Sequence, residues 1–176
     1  MSLSKPQRGV AFGAGSAAII TAVGLAVAAL HPFGEAITLE VRLHVLALSG
    51  LGPALALIVC IGRVANQRFK TPEDLDGSGL TTGSPRATLL QALLQNTLEQ
   101  LALSGPVYAA STLVGSARVL SMVPVASALF LVGRALFFWG YARGAPGRAL
   151  GFGLTFYPTV VLLVCAIVAV ANHAAS

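Results

Sequence analysis

The chain has 176 residues, of which 56% are hydrophobic and 10% charged, with a net charge of +5 and a mean hydropathy of +0.82. Soluble domains carry roughly 25% charged residues, so this composition excludes an ordinary water-soluble domain and indicates an integral membrane protein. The positive charge sits mostly between apolar runs, where it reports membrane topology rather than nucleic-acid binding.

Apolar runs occupy residues 9–30, 41–62, 89–113, 121–141 and 150–171, each close to the ~20 residues that cross a bilayer as a helix. They are apolar on every face and do not alternate over ~10 residues, which predicts an all-α membrane protein and excludes a transmembrane barrel. The first run, flanked by Lys5 and Arg8, exceeds the ~7–15 apolar residues of a cleavable signal and is read as a retained helix. Gly9 and Gly13 give it a small-xxx-small face for docking against the bundle or a neighbouring protomer. Cys60 and Cys165 fall inside apolar runs without metal-ligand spacing and are read as buried bystanders, while His31, His44 and His173 are too scattered to form a cluster.

Residues 63–88, "RVANQRFKTPEDLDGSGLTTGSPR", form the longest connection, and their Pro, Gly, Ser and Asp content predicts an irregular loop. "DLDGSG" at 74–79 starts like a calcium loop, but its twelfth position is Pro85 where a Glu is required. With the N-terminus cytoplasmic, Lys5, Arg8, Arg63, Arg68, Lys70 and Arg86 share the inner face with Arg143 and Arg148, whereas the outer face receives Arg42 and Arg118. That asymmetry satisfies the positive-inside rule and places the C-terminus outside. Attraction to anionic headgroups would account for part of the basic character of these loops.

The third run, "LLQALLQNTLEQLALSGPVY", carries Gln91, Gln95, Asn96, Glu99 and Gln100 in otherwise apolar sequence. An ionisable group at membrane depth requires a partner or a wet cavity, so this segment is a candidate functional site. Asn96 and Glu99, three residues apart, share a helix face. Arg134 is the other ionisable residue deep within a run, and an ion pair between Glu99 and Arg134 is expected. Its alternative roles are interhelical glue and a ligand site. Arg134, Phe137 or Phe138, Tyr141 and Arg148 recur along one edge, with Trp139 suited to the interfacial aromatic belt. Pro106 and Pro124 are positions where the third and fourth helices can kink.

"GRALFFWGYARGAPGRALGF" and "QNTLEQ", with "LTTG" sixteen residues before Asn96, resemble the MAPEG family, the membrane-associated proteins of eicosanoid and glutathione metabolism. The resemblance extends from about residue 50 to residue 172. It implies a four-helix bundle at 41–176 with one extra N-terminal transmembrane helix within 1–40, assembled as a homotrimer with glutathione between protomers on the cytoplasmic side. By position, Asn96 and Glu99 would meet the glutathione backbone and amine, with Arg134 beside them. Tyr141 would lie at the ligand edge, Arg63 would match a basic residue at the end of the family's first helix, Arg143 would join the binding residues, and Arg148 would activate the thiol. Two positions depart from the family pattern: Ala92 stands where many members have an Arg one turn before the Asn, and Phe137 replaces a common Tyr. Arg86 lies about six residues too early to stand in for the missing Arg, a distance of nearly two turns at ~3.6 residues per turn.

Glutathione carries two carboxylates and an ammonium, so several Arg side chains with one Glu are complementary to it. The implied function is a membrane glutathione transferase or peroxidase acting on apolar molecules that enter from the lipid. The alternative is a non-catalytic binder of lipids or apolar ligands on the same scaffold. A transport subunit using Glu99 and Arg134 as a coupling pair is a third class.

Overall fold

The computed structural model describes residues 3–34, 37–77 and 80–175 and contains, among them, helices and turns but no strand. Five long helices follow one another: α1 (Lys5–Leu30), α2 (Leu39–Lys70), α3 (Pro85–Val114), α4 (Ala117–Gly140) and α5 (Gly144–Ala174). Among the described residues, three stretches are long and apolar enough to cross a membrane: Lys5–Leu30, Leu39–Lys70 and Ala117–Ala174, the last containing both α4 and α5. α3 is the expected span that falls outside them, because its amides and Glu99 dilute its apolar character. Large apolar side chains including Phe12, Ile58 and Val164 are exposed, as expected where lipid rather than water is the solvent.

Local sequence explains where the helices begin. Ser4, Thr38 and Ser84 each accept a backbone N–H of the first turn, and Ser4 and Gln7 form a reciprocal capping box. Prolines inside α2, α3, α4 and α5 each lack a donor N–H, leaving a carbonyl one turn back without its helical partner. In α2 this frees the carbonyl of Ser49, four residues before Pro53, and Ser127 Oγ of α4 donates to it at 2.6 Å. A helix-breaking residue thereby becomes an interhelical contact.

α4 and α5 form an antiparallel hairpin through a 3-10 turn at Tyr141–Arg143. Gly144 ends that turn at φ +75°, a left-handed conformation that a side chain disfavours. Gly133, Gly140, Gly147 and Gly151 let the two backbones approach so closely that a Cβ at any of them would collide with the facing helix. Lipid tails provide no hydrophobic force between helices, so such close packing of small residues carries the association.

α1 lies on the face formed by α4 and α5. Gly9 faces Pro146, Gly13 faces Ala149 and Leu150, and Ala17 packs on Gly153. Both partners advance together along this series, so α1 runs parallel to α5. Of the two expected docking surfaces, the helix therefore occupies its own bundle.

The helix directions bring the N-terminus of α1, the α2–α3 connection and the α4–α5 turn to one end of the bundle, where the Arg63 guanidinium stands 5.9 Å from the Phe138 ring. At the other end, Arg42 donates to the carbonyls of Thr112 and Gly115 at 2.7 and 2.9 Å, capping the C-terminus of α3. The main basic residues of the sequence thus share an end.

The α2–α3 connection is more ordered than its composition predicts, because buried Asp74 staples it. Its carboxylate accepts the Ser84 backbone N–H at 2.6 Å, Ser84 Oγ at 2.7 Å and Gln67 Nε2 at 3.0 Å. The first carboxylate of "DLDGSG" is therefore committed to hydrogen bonds with the helix ends, while Ser78 and Gly79 lie outside the described residues.

The Ser84 N–H, followed by the Gln67 amide, holds the Asp74 carboxyl below the usual carboxylate range, and the charge of Arg68 contributes further. A carboxyl with its folded pKa depressed contributes stability above its unfolded pKa and loses it as pH falls through the folded value. The thermal midpoint in detergent should accordingly fall on acidification through and below the carboxylate range. Asp74→Asn, which leaves one carbonyl acceptor for three donors, should lower the midpoint at neutral pH and flatten its acid dependence.

Candidate functional site

Among the described residues, Arg134 is the largest side chain with under 2% exposure. Its Nη1 donates to Asn96 Oδ1 and its Nη2 to Thr155 Oγ1, both at 2.8 Å. One guanidinium thereby ties α3, α4 and α5 together. Thr155 Oγ1 in turn donates a hydrogen bond to the Phe152 carbonyl at 2.8 Å, so the hydroxyl is satisfied as acceptor and donor. The flat face of the guanidinium lies 4.4 Å from the Phe137 ring centroid, a cation–π distance, and Nε has no hydrogen-bond partner.

This arrangement corrects the expected ion pair. Glu99 is exposed on the outer face of α3 and accepts from Gln95 Nε2 at 3.0 Å, one turn earlier. The three-residue step from Asn96 to Glu99 rotates about 60° around a helix of ~3.6 residues per turn. Asn96 consequently points inward while Glu99 faces out. A neutral amide serves Arg134 without the desolvation that burying a carboxylate beside it would require. The transport reading loses its coupling pair by the same geometry.

Asn96 also lines a cavity of about 540 Å³, together with Phe137, Tyr141, Arg148 and Phe152. This volume falls within the ~300–1,000 Å³ typical of small-molecule sites. Four elements meet there, since α1 adds Val10 and Ala14 to residues from α3, α4 with its turn, and α5. Arg148 is half-buried, with its guanidinium 4.8 Å from the Tyr141 ring centroid. Among the described residues no carboxylate pairs with it. The cavity therefore has a cationic polar edge and an apolar interior.

The other expected site residues lie outside this cavity. Arg143 is exposed and stands 3.8 Å over the Trp139 ring, which gives that ring a partner at the membrane interface. Arg63, also exposed, stands near Phe138, and Glu99 faces outward. Of the seven residues expected at the site, Asn96, Arg134, Tyr141 and Arg148 are brought together within one protomer, whereas Arg63, Glu99 and Arg143 are not. Thr155 was not anticipated, since a Thr in an apolar run is indistinguishable from one that bonds its own helix backbone. Val10 and Ala14 were likewise hidden, because their role depends on where α1 docks.

Cys60 is buried and Cys165 half-buried, and both are free thiols. Cys60 Sγ lies 3.5 Å from Thr97 Oγ1 in a contact between α2 and α3.

A separable test of this geometry compares two residues of α3. Asn96→Leu should lower thermal stability by about 1–3 kcal/mol, the range for stranding one buried polar partner. Glu99→Gln, on an exposed face, should stay within about 0.5 kcal/mol of wild type. Midpoints measured in the same detergent would distinguish them, and a larger loss for Glu99→Gln would contradict the structure.

Residues 42–168 match the family model described as the MAPEG family. A relative in Synechocystis, the uncharacterized protein sll1147, is 29% identical over 116 residues, covering 66% of this chain and 78% of that protein. No solved structure matches the chain.

Proposed function

Because the chain belongs to the MAPEG family, a family of membrane proteins concerned with eicosanoid and glutathione metabolism, we propose that it is a glutathione transferase or peroxidase acting on lipophilic electrophiles. The observation that carries this reading is the half-buried Arg148 beside Tyr141, at the rim of an apolar cavity. Glutathione is the proposed thiol cosubstrate, and the residues present fit its chemistry. Arg148 offers its guanidinium at the cavity edge, while Arg134, buried and bonded to Asn96 and Thr155, holds Asn96 in the cavity lining from behind.

The role of Arg148 follows from electrostatics. A free thiol has a pKa of ~8.5 and is mostly protonated at neutral pH, and a neighbouring guanidinium favours the thiolate. The Tyr141 ring holds that guanidinium in place through a cation–π contact. The thiolate then attacks an electrophilic carbon, a C–S bond forms, and the leaving group departs with the bonding electron pair while the thiol proton goes to solvent. With a hydroperoxide, the thiolate attacks the terminal oxygen, the O–O bond breaks, and the alkoxide leaves with the bonding electron pair and takes a proton from solvent to become the alcohol. A second glutathione then converts the resulting sulfenic acid to the disulfide, releasing water.

Arg63, Arg143 and Glu99 enter this reading through assembly. They are exposed in one protomer, and a homotrimer would bring the outward Gln95–Glu99 edge of α3 toward a neighbouring chain, where the carboxylate would meet the glutathione ammonium. α1 is an addition to the four-helix core, which corresponds to 41–176. The N-terminus is assigned to the cytoplasm and the C-terminus to the opposite side, since the basic end of the bundle then faces inward.

Phe137 favours a second reading, a non-catalytic binder of lipids or apolar ligands. It lines the cavity and covers the Arg134 guanidinium where a hydroxyl would otherwise face the ligand. Ala92 likewise removes a charge from the third helix.

Glutathione titrated into the detergent-purified protein should raise its thermal midpoint saturably, and turnover of an electrophilic dye should fall about a hundredfold in Arg148→Ala, the scale for losing one preorganised charge-stabilising group. An unchanged midpoint at all concentrations would favour the binder. Full activity in Arg148→Ala would remove the thiol activator.

A further inference from the structure

We propose that α1 forms a fixed wall of the ligand cavity, and that Val10 and Ala14 set the girth of the anionic amphiphile it admits. The proposal rests on reading the cavity as a ligand site, as above, but not on the ligand being glutathione. α1 lies outside the residues that match the family, so this wall belongs to this chain rather than to the four-helix core.

Val10 and Ala14, one turn apart on α1, line the same cavity as Asn96, Tyr141 and Arg148. Their position is held by the adjacent stripe of small residues: a Cβ at Gly9 would stand 2.9 Å from Pro146 Cβ, and one at Gly13 would stand 2.9 Å from Ala149 Cβ and 3.0 Å from the Leu150 backbone nitrogen. Helices in contact at backbone distance cannot separate slightly to admit a wider molecule without losing that packing. The width of the cavity is therefore set by the side chains projecting into it.

The lining from α1 and the start of α5 is small, with Ala14, Ala145 and Ala149, whereas Phe137, Phe152 and Tyr157 supply the bulky side chains. At the polar edge, the Arg148 guanidinium has an aromatic ring but no carboxylate among the described residues. A negatively charged head at Arg148 with a slender apolar body along Val10 and Ala14 satisfies both ends. A free carboxylate lipid and the thioether product of an apolar electrophile share that chemistry.

The probe is cis-parinaric acid, a fluorescent long-chain carboxylate, titrated without glutathione into the full chain in nanodiscs, with empty nanodiscs subtracted. Saturable binding is expected for wild type. Ala14→Phe should weaken it about tenfold or more, as a phenyl ring placed in the slot displaces the ligand. Gly15→Phe is the matched control, because a Cβ there meets nothing within 4 Å, and its affinity should equal that of wild type. Val10→Ala should shift preference toward a bulkier pyrene-labelled fatty acid relative to parinaric acid.

Absence of saturable binding in wild type would overturn the proposal. So would wild-type affinity in Ala14→Phe, or equal weakening by Gly15→Phe. Should Ala14→Phe fail to fold, an unchanged probe preference in Val10→Ala overturns it alone. Since no glutathione is present, these outcomes are independent of the thiol titration: failure there with girth selection here sinks the transferase reading and leaves the α1 wall standing.

Discussion

The rest of the structure depends on where one buried guanidinium finds its partners. Arg134 is enclosed at the meeting of three helices and donates to Asn96 of α3 and Thr155 of α5, while the Phe137 ring lies against its face. A charge taken out of water is tolerated only where hydrogen bonds replace its hydration. Those bonds set the rotation of α3 relative to the α4–α5 hairpin. Rotating α3 to bring Glu99 inward would strand Asn96 and place a carboxylate in the apolar interior.

From this rotation follows the character of the cavity. With Asn96 turned inward, the polar edge is completed by Tyr141 and Arg148, which the 3-10 turn after α4 carries to the same end of the bundle. The glycines along α4 and α5 keep that hairpin tight, so the turn residues do not drift from the helix ends. Arg148 remains half-buried, close enough to apolar surface for its field to act strongly on a bound anion and accessible enough to receive one.

The docking of α1 gives the site its remaining side. Close glycine contacts place it parallel to α5 and expose Val10 and Ala14 to the cavity, so the helix absent from the family's matched region contributes to the surface a ligand would meet. Membership in the MAPEG family assigns the chain to membrane proteins of eicosanoid and glutathione metabolism. The chemistry proposed for it rests on Arg148, and its selectivity on α1.

Much was legible without coordinates. Apolar run length and composition determined the membrane class and the five helices, because a bilayer admits few alternatives to helices for a backbone that must satisfy its own hydrogen bonds. The distribution of Lys and Arg indicated which helix ends belong together, since charged ends cannot be drawn through lipid at will. Asn96, Arg134, Tyr141 and Arg148 were visible as candidates because polar groups stand out in apolar sequence. Tertiary structure alone decided their pairing. Asn96 and Glu99 are equally plausible partners by spacing, and only the rotation of α3 against the α4–α5 hairpin distinguishes the one that faces Arg134. Thr155, Val10 and Ala14 carried no signal, since a hydroxyl or a small apolar side chain acquires a role only from what the fold places opposite it.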